Sequence, residues 1–90
     1  MDETERVCRN LGQRVIELRK ERGWIQQQLA DEMQIDARDL RRVEAGDNVT
    51  ISMLVRLARA LDVEIGALFE QPRTKHRRQP GRPKAVRSIT

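Results

Sequence analysis

The chain has 90 residues, 36% of them charged, and a formal net charge of +4 at pH 7. A chain of this length forms one domain with, at most, an added arm, and buries only a modest core. The single cysteine excludes an internal disulfide, and no apolar run is long enough to predict a membrane span. The charged first ten residues are unlike a signal peptide, so we expect a cytoplasmic protein.

The charge is divided unevenly along the chain. Residues 1–71 contain 11 basic and 14 acidic residues, a net charge of −3, whereas residues 72–90 contain 7 basic and no acidic residues. All three prolines also lie in the second part, which has few apolar residues and cannot offset the entropic cost of folding. We therefore predict a folded domain over residues 1–71 and a flexible basic arm over residues 72–90.

Five helices are predicted in chain order, and no strand, because no alternating apolar pattern of useful length occurs. Apolar residues at helical spacing, cap residues and glycines past helix ends define them. The first carries Val7, Leu11, Val15 and Leu18 and closes at Gly23; the second spans Gln26 to Met33; the third lies between Asp36 and Gly46; the fourth is capped by Thr50; the fifth holds Ile65, Leu68 and Phe69.

Three helix starts carry a hydrophobic staple, in which the residue before the cap meets the fourth helical residue. The pairs are Trp24–Leu29, Ile35–Leu40 and Val49–Leu54. At the second helix Ile25 occupies the cap position and supplies no oxygen, although Gln28 can form the other half of a capping box. We expect that helix to be about 1 kcal/mol less stable than with Ser or Thr as its cap.

The second and third helices each present one apolar stripe to a shared centre. Leu29 and Met33 lie one turn apart on the second helix, as do Leu40 and Val43 on the third. The polar residues of the third helix then form an exposed ridge of three arginines, Arg38, Arg41 and Arg42, with Asp39 beside them.

This arrangement resembles a known family, the Cro/CI-type (XRE) helix-turn-helix domains of phage repressors and bacterial regulators. The resemblance runs from about Leu11 to Phe69 and includes "LGQRVIELRKERG", Gln26, the spacing from "LA" to Ile35, "VEAG", and "LVRLARALDV" followed by "ALF". It implies an all-α, five-helix lambda-repressor-like domain that binds double-stranded DNA sequence-specifically. It further implies a transcriptional regulator, most simply a repressor, acting as a homodimer.

The resemblance also assigns roles to individual residues. The third helix of the family enters the major groove, which implies base contacts from Ala37, Arg38, Arg41 and Arg42. Phosphate contacts are implied for Gln26, Asn48 and Thr50, and a structural ion pair for Arg19 and Glu44. We interpret Asp36 as a helix cap. Asp39 can accept from a cytosine amino group or orient a neighbouring arginine, and we favour the second role.

Three departures from the family pattern stand out. Ile25 lacks the usual capping hydroxyl, and Gln34 replaces the glycine that makes the turn, so a side chain must accept a positive φ or the turn must adjust. In addition, Asp36, Asp39 and Asp47 lie close to where phosphates are expected. The first two departures concern local stability, and the third concerns how strongly the domain alone holds DNA.

The arm contains "PGRPK", which resembles part of an AT-hook whose first arginine is replaced by Pro80. We predict DNA contacts from Arg77, Arg78, Arg82 and Lys84. Insertion into a narrow minor groove, non-specific attraction to phosphates and a purely solubilising tail all remain open for this segment.

Two other classes of protein fit parts of the sequence. One is an antitoxin-type regulator whose arm also binds a protein partner, although an all-basic arm with few apolar residues suits a nucleic acid or an acidic partner better. The other is a protein-interaction module that has lost DNA binding. No catalytic constellation, cofactor motif or metal-ligand spacing occurs, and His76 has no second ligand nearby, so neither an enzyme nor a metal site is predicted.

Overall fold

The computed structural model describes residues 1–73, and this part of the chain is all-helical. The elements are α1 (Glu3–Glu21), α2 (Gln26–Met33), α3 (Ala37–Glu44), α4 (Ile51–Leu61) and a 3-10 helix (Ile65–Phe69). The all-α fold and the order of five helical segments are therefore confirmed. The fifth segment is a 3-10 helix rather than an α-helix, and the predicted arm beyond Arg73 lies outside the described residues.

Local signals set most of the helix ends. Asp2 and Glu5 form a capping box at the start of α1, where the Asp2 carboxylate accepts from the Glu5 N–H at 2.8 Å and the Glu5 carboxylate accepts from the Asp2 N–H at 3.0 Å. The hydroxyl of Thr50 caps α4 by accepting from the Met53 N–H at 3.0 Å. The residues of the three predicted staples pack on or in the core, as the spacing requires.

The turn between α2 and α3 closes without glycine. Gln34 adopts a left-handed conformation with φ of 59° and ψ of 45°. Its N–H donates to the carbonyl of Asp31, and the N–H of Ile35 donates to the carbonyl of Ala30, which is a Schellman motif. The side chain therefore accepts the positive φ, one of the two outcomes expected from the sequence, at a cost of roughly 1–2 kcal/mol.

One aliphatic core joins all five elements. Its fully buried side chains include Val15, Leu29, Leu40, Leu57, Leu61 and Leu68. Val7, predicted as part of the α1 stripe, is instead 36% exposed, because the core begins one residue later, at Cys8, and Val7 lies in the exposed first turns of α1.

Helices α1 and α3 approach each other closely at Gly12. A Cβ atom at this position would lie 2.7 Å from the carbonyl oxygens of both Val43 and Glu44. Only a glycine lets the two backbones come this near without displacement. The contact sets the position of the C-terminal end of α3 relative to the rest of the domain.

Candidate nucleic-acid interface

Helix α3 is fixed by its inner face and exposed on its outer face. Leu40 and Val43 are buried, and the Asp36 carboxylate caps the helix by accepting from the Arg38 N–H at 3.0 Å. Arg38, Arg41 and Arg42 are all exposed. The ridge predicted from the sequence is thus present, on a helix that the core holds in place. We call these three arginines the arginine ridge.

The protein's own carboxylates leave the arginine ridge largely free. Arg42 lies 3.7 Å from the Asp47 carboxylate, and both side chains are more than half exposed, so water screens this pair. Neither Arg38 nor Arg41 forms an ion pair with any residue of the described range. Two of the three guanidinium groups therefore keep all their donors available.

Two residues beside the arginine ridge, Asp39 and Ala37, also had roles predicted from the sequence. Asp39 is exposed and lies outside ion-pair distance of every arginine in residues 1–73, so the interpretation that it orients one of them is wrong for this structure. The spacing placed Asp39 beside the arginines, but on an exposed helix face hydration competes with a surface ion pair. Ala37 is half-buried and packs against the core, so it is less accessible than the three arginines.

The side chain of Gln26 is held at the start of α2 by Glu44 of α3. Gln26 Nε2 donates to Glu44 Oε1 at 2.7 Å. Glu44 is buried and also receives two hydrogen bonds from Arg19, from Nε at 2.8 Å and from Nη2 at 3.2 Å. The two residues that the resemblance pairs therefore lie in contact, and the same carboxylate reaches the candidate phosphate-binding glutamine.

The N-terminus of α2 keeps unpaired donors. Ile25 is 64% exposed and supplies no side-chain acceptor, while Gln28 Oε1 accepts from the Ile25 N–H at 2.8 Å. Among residues 1–73, no acceptor lies within hydrogen-bond distance of the N–H groups of Gln26 and Gln27. Free N–H groups and the positive end of the helix dipole make such an end favourable for an anion.

A second set of polar groups lies on the other side of α3, in the loop before α4. Asn48 is exposed, and its Oδ1 accepts from the thiol of Cys8 at 3.3 Å, which leaves its Nδ2 group facing no acceptor in the described range. Thr50 is exposed, and its hydroxyl, which accepts from Met53, still has a proton to donate. Asp39, Arg42, Asn48 and Thr50 line one shallow groove.

The predicted arm contacts, Arg77, Arg78, Arg82 and Lys84, lie outside the described residues. The start of the segment assigned to the arm does lie inside them. Pro72 is buried, and Arg73 Nη2 lies 2.8 Å from the Glu21 carboxylate of α1. The domain boundary at residue 71 stays a prediction.

Sequence reasoning missed three contacts at the interface and one away from it. The three are the close approach at Gly12, the hydrogen bond from Cys8 to Asn48 and the hydrogen bond from Gln26 to Glu44. The fourth is made by the buried Arg14, which holds the 3-10 helix by donating to the Ala67 carbonyl at 2.8 Å and to the Glu70 carboxylate at 2.9 Å. Only Gly12 carries a local signal, because a glycine inside a helix costs about 1 kcal/mol relative to alanine and so indicates close packing.

Other kinds of site find no support within residues 1–73. No helix in this range has both the length and the apolar character needed to cross a bilayer. In the same range, no three His, Cys, Asp or Glu side chains are grouped so that they could hold a metal ion.

Fold and interface define a helix-turn-helix DNA-binding protein, with α2 and α3 as the two helices of the motif. The helix-turn-helix family model matches residues 15–68. The chain belongs to this family, in its Cro/CI-type (XRE) branch, and the protein is a DNA-binding transcription regulator rather than an enzyme.

Two solved structures are similar to this chain. The crystal structure of the restriction-modification controller protein C.AhdI from Aeromonas hydrophila is 38% identical, with a TM-score of 0.67 over 69% of this chain and 96% of that one. A hypothetical transcription factor, NHTF from Neisseria, is 25% identical, with a TM-score of 0.70 over 80% of this chain and 84% of that one. No curated protein sequence matches the chain significantly.

Proposed function

We propose that this protein is a transcriptional repressor that binds a two-fold symmetric operator as a homodimer. In this proposal α3 enters the major groove, and the arginine ridge reads bases from it. The main observation behind this proposal is that Arg38 and Arg41 are exposed and unpaired on a helix fixed by Leu40 and Val43. An arginine fork that reaches guanine O6 and N7 contributes about 1–3 kcal/mol of discrimination.

Donors on both sides of the ridge support phosphate contacts. Gln26 and the free N–H groups of α2 lie on one side, and Asn48 and Thr50 lie on the other. Each of these groups can donate to a phosphate oxygen, which fixes the register of a protein on the duplex without reading its sequence. Together they would hold α3 at a defined depth and angle in the groove.

An exposed apolar surface beside the 3-10 helix supports self-association. Ile65 is 42% exposed and Phe69 is 48% exposed, while Leu68 between them is fully buried. Val55 of α4 is also 37% exposed. Burying these side chains against a second copy would stabilise a dimer, and a two-fold dimer would place two copies of α3 about one helical turn, roughly 34 Å, apart along the DNA.

The proposal is tested by selecting bound sequences from a random pool of duplexes. We expect the protein to enrich an inverted repeat, and the double variant Arg41→Ala/Arg42→Ala to lose the preference while keeping its helix content. The matched control Lys20→Ala/Arg59→Ala removes the same charge away from the ridge and should keep the preference. Enrichment by the ridge variant equal to wild type would show that another surface reads the bases.

The dimer needs a separate measurement. We expect sedimentation to give a dimer at micromolar concentration, and Phe69→Glu to give a monomer that binds a single half-site only weakly. A wild-type monomer that binds half-sites as well as full sites would refute the dimer while leaving the reading surface intact.

The arm is proposed to add phosphate contacts. Because Pro72 is buried and Arg73 contacts Glu21, the truncation should begin at residue 74. If five of the removed cations bind phosphates, the negative slope of log affinity against log salt concentration should become smaller in magnitude by about 4–5 units. An unchanged slope would leave the arm without a role in binding.

A second candidate concerns which genes are regulated. The 38% identity to a restriction-modification controller supports control of restriction-modification genes. Footprinting on the DNA that flanks the protein's own gene tests this candidate together with self-regulation. Protection confined to unrelated promoters would exclude it.

A further inference from the structure

A buried carboxylate on the reading helix holds the candidate phosphate-binding amide of the neighbouring helix. Gln26 Nε2 donates to Glu44 Oε1 at 2.7 Å, across the contact between α2 and α3. The Glu44 side chain is only 3% exposed, whereas Gln26 is half-exposed. A primary amide nitrogen carries two N–H groups, so one hydrogen bond to Glu44 leaves a second donor on the same atom.

The Glu44 carboxylate determines how the side-chain amide of Gln26 is oriented. A carboxylate only accepts hydrogen bonds, so it selects the nitrogen of Gln26 and not its oxygen. A phosphate oxygen also only accepts. The hydrogen bond to Glu44 therefore keeps a donor, rather than an acceptor, beside the free N–H groups at the start of α2.

An unpaired carboxylate so close to a phosphate would repel it, but Arg19 neutralises this one. Two nitrogens of Arg19 donate to the Glu44 carboxylate, and its third, Nη1, donates to the Trp24 carbonyl at 2.8 Å. Trp24 lies two residues before Gln26. The ion pair therefore links α1, the start of α2 and the end of α3 around a single carboxylate.

We infer that Glu44, held by Arg19, is a positioning residue for the DNA phosphate contact of Gln26, and that the ion pair is more than a structural brace. The inference rests on the proposed function, because it requires Gln26 to meet a phosphate. Glu44 itself touches no DNA in this inference. It fixes the Gln26 side chain before binding, so less conformational freedom is lost when the duplex arrives.

Gln27 provides a matched comparison on the same helix. Its Nε2 also donates to a carboxylate, that of Asp31 at 2.9 Å, but both side chains are exposed and lie on one face of α2. No cation buries or neutralises that pair within the described residues. Gln27→Ala thus removes the same chemical groups without touching the network around Glu44.

The test is a double-mutant cycle measured on one fixed mixed-sequence duplex. In the wild-type background, Gln26→Ala should weaken binding about tenfold, the size of one charge-assisted hydrogen bond. In the background Arg19→Met/Glu44→Leu, which replaces the buried pair by apolar residues, the same change should weaken binding by less than about twofold. Gln27→Ala should stay within about twofold in both backgrounds.

The outcomes separate the inference from the proposed function. A tenfold loss in both backgrounds would keep the phosphate contact and overturn the positioning role. No loss from Gln26→Ala in the wild-type protein would remove the contact itself, and the positioning role with it.

If the variant Arg19→Met/Glu44→Leu does not fold, an NMR measurement on the wild-type protein still tests the inference. In the free protein, one side-chain N–H proton of Gln26 should resonate downfield and exchange slowly, as expected of a hydrogen bond to a buried carboxylate. On addition of the duplex the other proton should shift while the first keeps its position. Loss of the downfield signal on binding would mean that Gln26 leaves Glu44 to meet DNA, and would overturn the inference.

Discussion

The substitution Gly12→Ala tests how closely the reading helix is set against α1. Two effects of opposite sign compete. Alanine is the better helix former by about 0.8–1 kcal/mol, which would stabilise α1. The added Cβ, however, would lie 2.7 Å from the carbonyl oxygens of Val43 and Glu44, where an ordinary carbon–oxygen contact needs about 3.3–3.6 Å.

The structure indicates that the clash outweighs the propensity. Relief requires a shift of roughly 0.6–0.9 Å between two backbones that the core holds rigidly, and overpacking of this kind costs about 1–3 kcal/mol. The same shift would lengthen the Arg19–Glu44 hydrogen bonds, since Glu44 lies in the contact. We expect a net loss near 1 kcal/mol, which lowers the melting temperature by about 4–8 °C in a domain of this size.

The assay is urea unfolding followed by far-UV circular dichroism, with Gly66→Ala as the matched control. A Cβ at Gly66 meets nothing within 4 Å, and Gly66 does not have a positive φ. That substitution should leave the free energy of unfolding unchanged or raise it by about 0.4–1 kcal/mol. If Gly12→Ala proves as stable as Gly66→Ala, the close approach of α1 and α3 is wrong.

Three further substitutions follow from the structure. Gln34→Gly relieves a left-handed side chain and should raise the urea midpoint, with a gain of about 1 kcal/mol; a loss would show that the turn does not need positive φ. Ile25→Thr adds a cap oxygen and should stabilise by about 1 kcal/mol. Duplex affinity should stay unchanged, because the threonine cap of α4 accepts from the third helical N–H, and the same geometry at α2 would leave the N–H groups of Gln26 and Gln27 free. Arg14→Lys should destabilise by about 2 kcal/mol, since one ammonium cannot replace a fork shared by Ala67 and Glu70; wild-type thermal stability in this variant would remove Arg14 from the packing of the 3-10 helix.

The sequence was sufficient to predict the helical segments and to place the arginine ridge on the exposed face of α3. The predicted bounds of α2 agree with the structure because its ends are local: a staple at Trp24 and a turn at Gln34 act within a few residues. The exposure of Arg38 and Arg41 follows from the helical period once Leu40 and Val43 are assigned to the core. These signals need no knowledge of the tertiary contacts.

The contacts between distant residues could not be predicted in this way. Cys8 and Asn48 are 40 residues apart, and Gln26 and Glu44 are 18 apart, so their hydrogen bonds depend on how the helices pack. Asp39 shows the converse error. Its position on the helix was clear, but spacing alone does not decide which rotamer an exposed carboxylate adopts or whether water competes for it.

The distribution of ion pairs explains how an acidic domain can present a cationic reading surface. Residues 1–71 carry a net charge of −3, yet the carboxylate nearest the centre of the motif, that of Glu44, is occupied by Arg19 from α1. A second α1 arginine, Arg14, contacts the carboxylates of Glu17 and Glu70 in the same manner. Because α1 supplies the cations for these carboxylates, the arginines of α3 are not drawn inward to neutralise them. The net charge of the domain therefore says little about the potential at the ridge, and the exposed cations of α3 remain available to a polyanion.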